Sequence, residues 1–155
     1  MSVDGLFQRS SARAARLDFL RRRMTFDEAH RLIKKGDVVS LRHELDAGMI
    51  PDLSNQFSWT LLMLTAIEGG SAIAELLISR GADTNKTNDF GDTALSLAAC
   101  GGHAQLVRLL LDHGASGECR PHGATLEGWM RVSSGLPDDR IRSVLDLISA
   151  TRPAH

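Results

Sequence analysis

The chain has 155 residues, of which 24% are charged and 5% aromatic, with no tyrosine and a formal net charge of −1. That length fits about one domain with a continuous core, and the scarcity of aromatics beside plentiful Ala, Leu and Gly favours thin helical layers joined by tight turns over a sandwich or barrel. No run of 18 apolar residues is present to span a membrane, and the first thirty residues lack the apolar core of a secretory signal. The two cysteines, Cys100 and Cys119, agree with a reducing compartment, so a cytoplasmic location is expected.

Charge is unevenly spread. Residues 1–35 hold nine Arg or Lys against four Asp or Glu, and the remainder holds nine against fifteen, so a leader of +5 precedes a body of −6. Within residues 1–24, Arg9, Arg13, Arg16, Arg21, Arg22 and Arg23 accompany Leu17, Leu20 and Met24 at helical spacing. Such a stretch reads as a targeting segment, a nucleic-acid arm or a basic amphipathic helix. Asp4 and Asp18 interrupt the basic run, and the expected element is the amphipathic helix, placed over the end of the core that follows.

Thr25-Phe26-Asp27-Glu28 has the spacing of a capping box, so a helix is expected from Thr25 to Lys35, stopped by Gly36. A second helix follows with Val38, Leu41 and Leu45 as its apolar stripe. Next come inner and outer helices near Thr60–Glu68 and Ser71–Arg80, then near Thr93–Cys100 and His103–His113. The last pair contains Trp129 and Met130, then Pro137-Asp138-Asp139 as a helix start leading to Ile141, Val144, Leu145 and Ile148.

These elements repeat. Thr60 lies 33 residues before Thr93, and at the same offset Ala66 matches Ala99, Gly69 matches Gly102, Leu76-Leu77 match Leu109-Leu110, and Gly81 matches Gly114. Gly36 and Gly48 extend the series backwards, and Gly123-Ala124-Thr125 repeats Gly91-Asp92-Thr93 after one deletion. A 33-residue period with a Thr-opened helix, a Gly stop and a Leu-Leu outer helix resembles the ankyrin repeat family.

The resemblance implies an all-α ankyrin-repeat solenoid of about four helix-turn-helix units joined by hairpin loops, at residues 25–54, 55–87, 88–119 and 120–149. The first and last are degenerate caps, residues 1–24 form the leader helix, and residues 150–155 form a tail. His43 and Glu44 replace paired leucines in unit one, as suits an end repeat with a wet face. Where the family has Thr-Pro-Leu-His, the chain has Thr60-Leu61-Leu62-Met63 and Thr93-Ala94-Leu95-Ser96, losing the proline of the first turn and the histidine that links turns.

Cys100-Gly101-Gly102-His103 and Cys119-Arg120-Pro121-His122 form two Cys-x-x-His pairs, a zinc-like pattern. The repeat places them at opposite ends of an outer helix, and ten helical residues at ~1.5 Å each separate them by roughly 15 Å, far beyond a ~2.3 Å Zn–S bond. No metal or other cofactor is expected. Nucleophile-elbow, phosphate-loop and His-Glu-x-x-His motifs are absent from the sequence, so no catalytic residue is assigned and the chain is read as non-enzymatic.

By the resemblance, hairpin tips and inner helices face a partner. The expected contact residues are Lys34 and Lys35 in unit one, Gln56, Phe57, Trp59, Ile67 and Glu68 in unit two, Asp89, Phe90, Asp92 and Cys100 in unit three, and His122 in unit four. Trp59 and Asp92 occupy equivalent tip positions and are expected to project from one edge without supporting the core, whereas Leu109 is assigned to the core. The expected function is binding of a folded protein by a chain that is monomeric beforehand, as a stoichiometric inhibitor or toxin-neutralising immunity protein. The alternative is an adaptor or assembly chaperone for an enzyme or secretion component. Neither nucleic acid nor membrane is an expected partner.

Overall fold

In the computed structural model, residues 24–151 are described. Their helices, in chain order, are α1 (Phe26–Lys35), α2 (Val38–Asp46), α3 (Leu61–Glu68), α4 (Ser71–Ser79), α5 (Ala94–Cys100), α6 (Ala104–Asp112), α7 (Leu126–Ser133) and α8 (Asp138–Ala150), with one 3-10 turn at Pro121–Gly123. The leader expected at residues 1–24 lies outside the described residues apart from Met24, as does most of the expected tail.

Four threonines start the inner helices by one device. The side-chain oxygens of Thr25, Thr60, Thr93 and Thr125 accept the backbone N–H of Glu28, Met63, Ser96 and Gly128, at 3.3, 3.2, 3.2 and 3.2 Å. Each bond satisfies an amide that the first helical turn leaves without an intrahelical acceptor. Glu28 completes the first capping box by accepting from the Thr25 backbone. In unit three Ser96, standing where the family has histidine, does the same: its hydroxyl accepts from Thr93 N–H and donates to the Thr93 carbonyl, both at 2.9 Å.

Alternate helices form two layers. The inner layer is α1-α3-α5-α7 and the outer layer α2-α4-α6-α8, each helix touching its neighbour within the layer and its own partner across it. The core between the layers contains Leu41, Leu61, Leu77, Leu95, Val107, Leu110 and Met130, all essentially inaccessible. Leu77 and Leu110 are one repeat apart, as the offset requires. The buried residues of α8, Ile141, Val144 and Ile148, extend this core to the last unit.

Unit one meets solvent as its polar substitutions imply. His43 is exposed, Glu44 half-buried, and Val39 is 79% exposed on the same helix. Asp37 caps α2, accepting from Ser40 N at 3.0 Å and Ser40 Oγ at 2.7 Å, and the Ser40 hydroxyl is the main cause holding its carboxyl below the usual range.

Junctions between units are polar as well as apolar. His103 Nε2 lies 3.2 Å from the Ile67 carbonyl, so the turn after α5 is tied to the end of α3. Gly69 must remain small at this point: its φ is +74°, and an added Cβ would come within 2.7 Å of the His103 ring. On the outer side Arg80 pairs with Asp46, Lys86 with Asp52 at 3.4 Å, and Asn85 bridges to the Gly114 carbonyl and the Ser116 amide.

One core assignment needs correcting. Leu109 is half-buried and packs beside the core, whereas its neighbour Leu110 is fully enclosed, because one residue of helix rotates a side chain by about 100°. Leu110→Ala should therefore cost about 2–5 kcal/mol and Leu109→Ala markedly less. Urea melts of the two variants followed by circular dichroism measure the difference.

Candidate functional site: hairpin tips and inner-helix face

Two asparagines shape the tips of the second and third hairpins. Asn55 Oδ1 accepts the amides of Phe57 and Trp59 at 2.9 and 3.0 Å, and Asn88 Oδ1 accepts those of Phe90 and Asp92 at 2.9 Å each. Backbone bonds from Asn55 N to Trp59 O and from Asn88 N to Asp92 O close each loop. The turns demand left-handed backbone at Ser58 (φ 61°) and Gly91 (φ 80°), which stand at equivalent positions. A Cβ on Gly91 would also meet the Arg120 carbonyl at 2.8 Å, since the next hairpin packs against this one.

Successive tips are bonded to one another. Asp89 N–H donates to Phe57 O at 3.2 Å, Ser58 Oγ donates to Asp89 Oδ1 at 2.8 Å, and His122 N–H donates to Phe90 O at 2.8 Å. Phe57 and Phe90, each 48% exposed, are thereby held on one edge. The Phe90 ring stacks on His122 with centroids 5.6 Å apart, and His122 stacks on Trp129 of α7 at 4.2 Å. His122 reaches this place through a φ of 51°, uncommon for a residue with a side chain.

The expected contact residues divide into two groups. Lys34, Lys35, Gln56, Phe57, Ile67, Glu68, Asp89, Phe90 and His122 are exposed. Trp59, Asp92 and Cys100 are not. Asp92 does not project from the edge: it is 4% exposed, accepts from Asn88 Nδ2 at 3.1 Å, and lies 3.7 Å from His122 Nε2. Its carboxylate turns inward, where the Asn88 amide supplies a donor that water would otherwise supply and the His122 ring covers it. Trp59 is half-buried against the core, so the tip of the second hairpin is Phe57 rather than the tryptophan.

Trp129 was missed as a site residue, although its position in the last inner helix, where the earlier units carry Leu64 and Leu97, was visible in the sequence. Its stacking partner could not be foreseen there, because the one-residue deletion in the fourth hairpin decides where His122 falls.

Cys100 is half-buried with Sγ 3.7 Å from Ser133 Oγ, and Cys119 is also half-buried. Burial pushes both thiols above their ordinary range. The zinc-like pairs are not assembled: His103 faces the Ile67 carbonyl and His122 faces Asp92. Among the described residues no group of three or more His, Cys, Asp or Glu could hold a metal, and no helix is long and apolar enough to cross a membrane.

Two-layer stacking of short helix pairs, joined through hairpins that bond to one another, defines a repeat protein of the helix-turn-helix class. The family model for ankyrin repeats in three copies matches residues 29–125, more than half of the chain, and the chain belongs to that family. Such repeats are generic protein–protein interaction modules, typically without catalysis. A comparison with curated proteins found no match. The family match ends at Thr125, so α7 and α8 continue the stack beyond it.

Two measurements follow from these placements. Replacing Asp92 by Ala strands the Asn88 amide and removes the carboxyl beside His122, and should cost about 1–3 kcal/mol, whereas Thr87→Ala, exposed in the same loop, should change stability by no more than about 0.5 kcal/mol. Thermal melts decide between this and the projecting position expected from the repeat. For the thiols, a raised pKa means a smaller thiolate fraction at neutral pH and hence slower alkylation than a free cysteine shows. Both should react slowly with iodoacetamide at pH 7.5 and at the free rate in denaturing urea, read by mass spectrometry.

Proposed function

We propose that the chain is a non-enzymatic binding module that engages a folded protein through its hairpin tips and inner-helix face, acting as a stoichiometric inhibitor of that protein. The observation carrying this reading is the fixed row of exposed apolar groups. Phe57, Phe90 and Ile67 are each about half exposed, and the tips bearing the two phenylalanines are bonded to neighbouring hairpins. Exposed aromatics surrounded by polar residues and carried on a fixed backbone are strong anchors, and the Phe90 ring, stacked on His122, loses little side-chain freedom on association.

The proposed contact set keeps Lys34, Lys35, Gln56, Phe57, Ile67, Glu68, Asp89, Phe90 and His122 from the expected residues. Asp92 is reassigned to holding the third hairpin and Trp59 to bracing the second. An inhibitor, an immunity protein that neutralises a toxin, and an adaptor or assembly chaperone would all use this surface.

Capture from the source-cell lysate with the tagged full chain, beside Phe90→Ala and Phe57→Ala, tests the reading. Phe57→Ala should melt like the wild type and Phe90→Ala, which loses the His122 stack, slightly lower, yet each should lose about 2 kcal/mol or more of affinity for the captured protein. A one-to-one complex in which the captured protein is inactive supports inhibition; an active protein in the complex supports the adaptor. Capture unaffected by both substitutions places the binding surface elsewhere.

A further inference from the structure

The inner-helix face changes character from one end of the stack to the other. Residues at i, i+3 and i+4 share one side of a helix, and on α1 that side is Arg31, Lys34 and Lys35, all exposed. Three cations therefore stand within two turns, and the described residues offer no carboxylate within ion-pair distance of any of them; the Arg31 guanidinium bonds only the Asp27 carbonyl, at 3.4 Å. At the repeat offset the corresponding side of α3 carries Ile67, 47% exposed, with Glu68 beside it, and that of α7 carries the half-buried Trp129 and Val132, the latter 83% exposed. One end of the face is cationic and the other apolar.

The three cations make a positive patch at one end, and Val132 with the Trp129 ring an apolar one at the other, so a partner that complements both gains steering and burial. We propose that this face binds a protein segment with carboxylates at one end and bulky apolar side chains at the other. The segment lies across the inner layer with its acidic end on Arg31, Lys34 and Lys35 and its apolar end on Trp129 and Val132, passing Ile67 between. This rests on the protein-binding reading above and specifies what is bound and in which register.

Four helices spaced 8–10 Å apart span about 24–30 Å from first to last axis, a distance covered by roughly eight or nine residues of extended chain. The chain's own residues 1–23 do not match this chemistry, since they carry six Arg and two Asp and would set positive charge against positive charge. The segment therefore belongs to another protein.

The test uses fluorescein-labelled ten-residue peptides and the full chain, read by anisotropy. One peptide has four Asp or Glu at one end and Leu-Phe-Leu at the other, a second has the same residues in alternating order, and a third replaces the acids by lysine. The block peptide should bind about tenfold more tightly than the alternating one, weaken with added salt, and outcompete the lysine peptide. Lys34→Glu with Lys35→Glu should lower its affinity about tenfold, and Val132→Asp should do likewise, with circular dichroism unchanged because all three positions are exposed.

Equal binding of the block and alternating peptides would overturn the proposal. So would unchanged affinity in the double lysine variant, or stronger binding of a single-stranded 20-mer oligonucleotide at 150 mM salt, which would make the cations a phosphate site. The two readings fail separately. If Phe90→Ala abolishes capture of the native partner while the lysine variant captures it normally, the binding module stands and the acidic–apolar segment does not.

Discussion

No inner helix among the described residues is long enough to stand alone. The inner helices α3 and α5 have 8 and 7 residues, below the ~12–15 at which an isolated helix becomes marginal in water, and they persist because their apolar sides are covered by the helices before and after them. Leu61, Leu62, Leu95 and Ala98 are buried by the stack, not within one unit. Ala66 and Ala99, equivalent residues and both essentially inaccessible, keep the inner helices close enough for that coverage. Everything at the surface inherits its position from this constraint. A tip cannot shift without disturbing the helix it precedes, and the helix cannot shift without uncovering its neighbour.

The stack must end somewhere, and its two ends are finished differently. Unit one substitutes His43 and Glu44 where the interior units have leucines, reducing the apolar surface that α2 exposes. Unit four keeps the capping threonine and the buried Met130 but continues into α8, whose 13 residues are more than either interior outer helix has. The family match stops before this pair. What carries the stack onward is the buried row of Ile141, Val144 and Ile148, a pattern of apolar positions rather than a family signature.

The fold was legible because its determinants are periodic and local. A threonine three residues before an amide it can cap, a glycine where the backbone turns left-handed, and a leucine pair facing inward all recur at 33 residues and require no knowledge of the partner surface. The environment of each tip side chain was not legible in the same way. Trp59 and Asp92 occupy one register position, yet the tryptophan leans on the core and the carboxylate is enclosed by Asn88 and His122. Periodicity aligns backbones; it does not say which side chain the next unit brings over them.

The deletion before Thr125 illustrates how much one residue decides. It places His122, in left-handed backbone, between Phe90 and Trp129 and above Asp92. Hairpin four is thereby fastened to hairpin three by a backbone bond and the Phe90–His122 stack, while the stack on Trp129 ties His122 to α7. Hairpin three is in turn fastened to hairpin two through Asp89 and Ser58. Because each tip is braced by the next, the backbone that carries Phe57 and Phe90 is set before any partner arrives, and the Phe90 ring is held further by its stack on His122. Ordering Phe90 on association then costs less than the ~0.5–1.5 kcal/mol that a free, rotamer-rich side chain gives up. The same bracing explains why an acid was placed at Asp92: buried beneath a histidine, it contributes to the shape of the binding edge while taking no part in the edge itself.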